Sequence, residues 1–203
     1  MPSPNTSSRQ QLRQQLRGRR RSLTRQQQRL AAQSLARQLH RLPTLRYARH
    51  IALYCPADGE IDPLPFMQAL AHQRQRRFYL PVLHPVHHNR LWFRCVNSST
   101  PLGKNRFGIT EPQGKGPGRA PWALDVVLMP LVGFAPDGSR LGMGGGFYDR
   151  TFAFVRRWQR TTPKLIGLAH ELQRVPALPQ ADWDIAMHSI VTDKGNYPAA
   201  NKE

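Results

Sequence analysis

Between Arg140 and Arg150 the chain reads Arg-Leu-Gly-Met-Gly-Gly-Gly-Phe-Tyr-Asp-Arg, a segment that gathers the residue types able to handle phosphate. Glycines at 142, 144, 145 and 146 permit positive φ and let the backbone approach a ligand closely. Phe147, Thr151, Phe154, Val155 and Trp158 follow at helical spacing, so the loop is expected to open into a helix amino terminus. The unpartnered amide N–H groups there favour an anion. Arg140 and Arg150 can add charge-assisted contacts to phosphate oxygens. Asp149 is a hard oxygen donor of the kind Mg2+ accepts beside nucleotide phosphates.

Neither common phosphate-binding pattern fits this segment. The dinucleotide pattern G-x-G-x-x-G would need glycine where Phe147 or Asp149 stands. The P-loop ending G-K-[ST] is missing too, because Gly103-Lys104 precedes Asn105 and Gly114-Lys115 precedes Gly116. A capped surface turn is the plain alternative, but such a turn requires neither the two arginines nor the aspartate.

The elements that must carry this loop read as an α/β chain. Residues 9 to 41 have leucines at 12, 16, 23, 30, 35 and 39 among arginine and glutamine, with a break near Ser22-Leu23-Thr24 where a hydroxyl can cap a second helix. Apolar runs at 50–54, 78–83, 91–95, 125–129, 165–169 and 189–192 predict strands, and 63–74 and 148–160 predict helices between them. Alternation of this sort implies a single domain over residues 1–203, with a mostly parallel central sheet and helices on both faces. Ligands on such sheets sit at the carboxyl ends of strands, where the glycine-rich phosphate-binding loop falls. Residues 98–121 read as a long loop, and the polar ends 1–8 and 193–203 as mobile.

Thirty Lys and Arg against twelve Asp and Glu give a formal charge of +18, so the partners are expected to be anionic. The first acid is Asp58, which makes each carboxylate easy to audit. A basic nucleic-acid-binding protein is a rival reading, yet no helix-turn-helix, zinc-finger or RNA-recognition pattern supports it. Cys55 and Cys95 lack Cys-x-x-Cys spacing and read as buried free thiols, and His84, His87 and His88 lack companion ligands for a metal site. The polar amino terminus has no apolar signal segment, and no stretch is long enough to span a bilayer, so a cytoplasmic location is expected.

Five segments in order resemble the 5-formyltetrahydrofolate cyclo-ligase family. They are Arg9-Gln-Gln-Leu-Arg13 with Arg19-Arg20-Arg21 following, Gly59-Glu-Ile-Asp62, Phe107-Gly-Ile-Thr-Glu-Pro112, the run from Pro130 to Arg150, and Leu178-Pro-Gln-Ala-Asp-Trp-Asp184. The resemblance implies an ATP- and Mg2+-dependent ring closure of 5-formyltetrahydrofolate to 5,10-methenyltetrahydrofolate, with ADP and phosphate released. It also implies a monomer acting on two small molecules, a reduced folate and ATP, without a membrane partner.

By that resemblance Arg9, Gln10, Gln11, Leu12 and Arg13 contact ATP, and Arg140, Leu141, Gly142, Met143, Gly144, Gly145, Gly146, Phe147 and Tyr148 cradle its triphosphate. Arg140, Tyr148 and Arg150 take the catalytic positions, and Asp149 and Asp184 the metal-ligand positions. Glu60 or Asp62 meets the pterin, since a carboxylate accepts hydrogen bonds from its amino group and ring N–H. Phe107 stacks on the folate and Tyr148 stands where both ligands meet. Read without the resemblance, Glu60 and Asp62 form a solvated turn. Many relatives carry lysine where this chain has Arg9 and Gly145, so more of the phosphate charge falls to the remaining arginines.

Overall fold

The computed structural model describes residues 4–87, 89–106, 108–114, 116–158, 162–178 and 184–199. In chain order the elements are α1 (Pro4–Arg21), α2 (Arg25–Arg41), α3 (Pro43–Arg46), β1 (His50–Ala52), α4 (Leu64–Leu70), β2 (Arg77–Leu83), β3 (Leu91–Val96), β4 (Leu102–Lys104), β5 (Thr110–Pro112), β6 (Gly118–Arg119), β7 (Val126–Pro130), β8 (Gly133–Phe134), β9 (Arg140–Leu141), α5 (Phe147–Arg157), β10 (Lys164–Leu168), β11 (Ser189–Val191) and β12 (Asn196–Pro198). Eight strands form one sheet in the order β12-β11-β10-β7-β1-β2-β3-β6. The pairs from β11 through β2 are parallel, and the outer pairs are antiparallel.

Both faces of the sheet are covered, which explains the nearly unbroken apolar strands. On one face Leu35 and Leu39 of α2, Leu45 of α3 and Phe66 and Leu70 of α4 pack on Ile51, Phe78, Leu80, Val126, Leu128 and Ile166. On the other, Phe152 of α5 packs on Tyr79, Phe93, Val127, Met129 and Leu165. The register explains the division, because Val126 and Leu128 face one way while Val127 and Met129 face the other.

The predicted break between the first two helices is a cap. Thr24 stands extended at φ −65°, ψ 160°; its hydroxyl accepts from the Gln27 amide, and the Gln27 side chain accepts from the Thr24 amide. Thr24 starts α2, while α1, ending at Arg21, lies with its inner face against the carboxyl end of the sheet. There Leu16, fully buried, joins Val132, Ala135, Leu141 and Leu178 in a third apolar cluster.

Two expectations are corrected by strand pairing. The chain from 98 to 121 holds a β4–β5 hairpin and β6, whose Arg119 pairs with Phe93 on the sheet edge. The carboxyl-terminal residues 196–198, expected as part of a mobile end, pair antiparallel with Ser189–Val191. At the amino end, helix α1 begins at Pro4, inside the segment expected to be mobile. Cys55 and Cys95 are free but only half-buried.

Leu16 is the apolar peg of α1, so Leu16→Ala should lower stability by about 2–5 kcal/mol. Urea denaturation measures the loss, and limited proteolysis should show earlier cleavage within residues 4–21.

Candidate active site

The loops following β1, β7 and β10 and the inner face of α1 meet at the carboxyl end of the sheet. Positions 9, 13, 16 and 20 share one helical stripe, so a single face of α1 presents Arg9, Arg13, Leu16 and Arg20 inward. Arg13 Nε donates to the Gly142 carbonyl at 2.8 Å, and Arg9 pairs with Asp184 at 3.1 Å. Leu12 is half-buried against the Leu16 cluster. Gln10 and Gln11, expected beside them, are exposed.

The glycine segment follows the β8–β9 hairpin and opens into α5 as predicted. Gly144 and Gly146 adopt φ +94° and +63°, conformations that favour glycine, and Gly146 is the residue before the helix. No side chain caps that end of α5, so the first-turn amides are not claimed by a capping group. Leu141 is fully buried in the core, whereas Met143 is half-exposed and Gly144 and Gly145 are exposed. Phe147 is half-buried with the Arg150 guanidinium 5.7 Å from its ring centre. Arg150 also donates to the Asn89 carbonyl at 3.0 Å and to the Gly145 carbonyl.

Asp149 and Asp184 converge on this loop, each held by an arginine. Arg140 pairs with Asp149 and donates from Nε to the Ile185 carbonyl at 3.2 Å. Ile185 N donates back to Asp149 at 3.4 Å, which ties the start of α5 to the residue after Asp184. Two carboxylates suit Mg2+, which needs few protein ligands when phosphate and water complete its shell. Among the described residues no cluster of three or more His, Cys, Asp and Glu side chains is arranged to hold a metal.

The loop after β1 supplies the second half of the site. Glu60 is largely buried; its Oε2 accepts from the Ala57 amide at 3.1 Å, and its Oε1 lies 3.7 Å from Arg20 Nη2. Burial pushes the Glu60 carboxyl up, against the opposing pull of Arg20. Tyr148, half-buried at the start of α5, has its hydroxyl pushed up by burial and by the Glu60 charge. Asp62 accepts from the Leu64 amide at 2.8 Å and is pushed up by burial, which makes it a brace for α4 as well as a candidate contact. Phe107 lies outside the described residues. Its neighbour Glu111 accepts from Asn105 Nδ2 at 3.0 Å and from the Leu83 amide at 3.4 Å.

Arg20, to which the sequence assigns no role beyond its place in the Arg19-Arg20-Arg21 run, is fully buried and joins these parts. Nε donates to the Asp58 carbonyl at 2.7 Å, Nη2 to the Asp58 carboxylate at 2.8 Å and Nη1 to the Leu131 carbonyl at 3.4 Å. Met143 Sδ lies 3.9 Å from Nη2, which brings the glycine loop against the same guanidinium. Its place on the stripe with Leu16 was the available signal. Arg17 and Arg21 also bind Asp58. Burial alone would raise the Asp58 carboxyl, but hydrogen bonds from Arg17, Arg20 and Arg21 outweigh it and hold the group at about 2.

A match to the 5-formyltetrahydrofolate cyclo-ligase family spans residues 5–193. A 5-formyltetrahydrofolate cyclo-ligase of Haemophilus influenzae is 42% identical over 188 residues, covering 92% of this chain and 98% of its own. That of Escherichia coli K12 is 39% identical over 178 residues, covering 87% and 96%. The NMR structure of an Aquifex aeolicus 5,10-methenyltetrahydrofolate synthetase superposes with a TM-score of 0.79 at 29% identity, covering 96% of this chain and 94% of that one. A Mycoplasma pneumoniae 5,10-methenyltetrahydrofolate synthetase superposes with a TM-score of 0.70 at 25% identity, covering 91% and 98%.

The Asp58 carboxyl binds its proton more weakly in the folded chain, at about 2, than at its ordinary 3.8. Its stabilising contribution is therefore complete above 3.8 and is lost as pH falls through about 2. In acid unfolding followed by circular dichroism, Asp58→Asn should be less stable at neutral pH and should lose stability less steeply across that window. The shared stripe of α1, the glycine loop before α5 and the similarity along nearly the whole chain lead to one assignment: this chain belongs to the 5-formyltetrahydrofolate cyclo-ligase family.

Proposed function

We propose that this protein closes 5-formyltetrahydrofolate to 5,10-methenyltetrahydrofolate while ATP becomes ADP and phosphate. The observation that carries the reading is the convergence of an arginine-flanked glycine loop and the loop bearing Glu60 on the buried Arg20 at one end of the sheet. One half suits a triphosphate and the other a ring bearing hydrogen-bond donors.

The formyl oxygen attacks the γ-phosphorus, the bond to the β–γ bridging oxygen breaks, and ADP leaves. The resulting imidate phosphate has a good leaving group where the formamide had none. Nitrogen 10 then attacks the former formyl carbon, phosphate departs, and nitrogen 10 gives its proton to solvent. Such a transfer needs positioning and charge neutralisation more than a protein nucleophile.

Arg9, Arg13, Arg140 and Arg150 supply the positive charge around the loop, and backbone amides at the start of α5, which no side chain caps, donate to phosphate oxygens. Tyr148, at the junction of the two halves, orients the formyl group towards the γ-phosphate. Mg2+, when bound, would supply neutralisation of the β- and γ-phosphates. Asp149 and Asp184 would be its oxygen donors. Their present partners, Arg140 and Arg9, gain an alternative anion when the triphosphate arrives, which releases both carboxylates. A cytosolic monomer acting on two small molecules belongs to the same reading.

Purified protein should convert 5-formyltetrahydrofolate to product, followed by the absorbance of 5,10-methenyltetrahydrofolate, only when ATP and Mg2+ are both present. Folded protein that binds MgATP but yields no product would keep the nucleotide loop and remove the folate. Asp149→Asn should abolish ATP-dependent turnover while leaving the thermal unfolding profile cooperative; full activity with unchanged Mg2+ dependence would remove Asp149 from the site. Glu60→Ala should raise the folate KM more than the ATP KM, and equal effects on both would count against a pterin contact.

A further inference from the structure

We infer that Arg20 is a positioning residue for folate recognition: it holds Glu60 as a fixed, charged acceptor without occupying the oxygen that meets the substrate. The inference rests on the folate reading above and deepens it.

The geometry separates two tasks within one guanidinium. Nε, Nη1 and Nη2 spend their hydrogen bonds on the Asp58 carbonyl, the Leu131 carbonyl and the Asp58 carboxylate. The 3.7 Å separation from Glu60 Oε1 exceeds hydrogen-bond range, yet it is a strong charge contact because Arg20 is fully buried and the Glu60 side chain is 11% exposed. Glu60 Oε2 is taken by the Ala57 amide, whereas Oε1 accepts no hydrogen bond among the described residues. One oxygen is anchored, one is left for a ligand, and the charge is balanced from behind.

The other groups that face Glu60 do not replace Arg20. From α1 comes Arg17, whose Nε is committed to Asp58, and from the same loop comes Asp58, which repels Glu60. Tyr54, just after β1, and Tyr148 of α5 have hydroxyls pushed up by burial, so both are uncharged at neutral pH. Tyr54 donates to the Ile61 carbonyl at 2.6 Å and so fixes the loop without binding the carboxylate. Backbone at Gly59 is pressed against α1, where a Cβ would stand 3.0 Å from the Arg20 carbonyl oxygen. His170 and Gln28 contact the Gly59 carbonyl at 3.2 and 3.3 Å and hold the loop from the other side. The planar fork of arginine is needed, since one lysine ammonium cannot span these acceptors.

The test measures kcat and both KM values between about pH 6 and pH 8.5. It compares wild type, Arg20→Lys, Arg20→Gln and Glu60→Gln. The wild-type folate KM should be flat over the range. In Arg20→Gln the folate KM should rise roughly tenfold per pH unit on the acid side, because the unbalanced buried carboxyl takes up a proton, while the ATP KM, whatever its level, should show no such pH dependence. Arg20→Lys should restore the flat profile in part, and Glu60→Gln should have a raised folate KM without pH dependence. A flat folate KM in folded Arg20→Gln overturns the inference. If Arg20→Gln does not fold, NMR titration of carboxyl-labelled glutamates in the wild type decides: Glu60, identified by its loss in Glu60→Gln, should stay ionised down to about pH 6, and protonation above about pH 7 overturns the inference. Failure of the folate reading itself would show differently, as wild-type protein that neither turns over nor saturably binds 5-formyltetrahydrofolate.

Discussion

A buried arginine cannot be left unmatched, and the carboxyl end of this molecule is organised around that constraint. Removing one partner of a buried ion pair costs about 3–5 kcal/mol, so the chain around Arg20 must supply acceptors at fixed places. Asp58 gives a carboxylate and a carbonyl, Leu131 gives a carbonyl, and Glu60 adds charge. These acceptors come from the turn after β1 and the chain after β7. Docking α1 therefore sets the place of both loops at once, and with them the two halves of the site.

The scarcity of acids in a strongly basic chain gives this arrangement its economy. With twelve carboxylate side chains against thirty Lys and Arg, Asp58, Glu60, Asp149 and Asp184 all stand at the same end of the sheet. Each is matched by an arginine from α1 or from β9. Pairs of this kind keep the unliganded site folded against the mutual repulsion of its cations. On the proposed function they also leave a polyanion something to compete for, because phosphate oxygens bind guanidinium as a carboxylate does. Asp58 is the exception: three arginines and two loops converge on its neighbourhood, so it serves architecture rather than exchange.

Much of the fold was legible from local chemistry. The Thr24 cap, the apolar strand runs and the helical spacing after Gly146 each depend on a few neighbouring residues, and each lies where the sequence placed it. The antiparallel edge strands were not legible. Asn196-Tyr-Pro198 is short and polar, and only pairing with Ser189–Val191 makes it a strand; the segment holding β4, β5 and β6 likewise takes its form from partners distant in sequence. Arg20 escaped notice for a related reason, since a basic run reads as a solvated face unless the opposite wall is known.

The sequence by itself determined the element types, the glycine loop with its arginines, and the family resemblance, because these follow from backbone propensity and residue identity at short range. Only the tertiary structure decided which charges meet. It paired Arg9 with Asp184, Arg140 with Asp149 and Arg20 with Asp58 and Glu60, left Gln10 and Gln11 exposed, and drew Leu141 into the core. The physical reason is that burial sets the strength of a charge contact, and burial is a property of the packed sheet, helices and loops together.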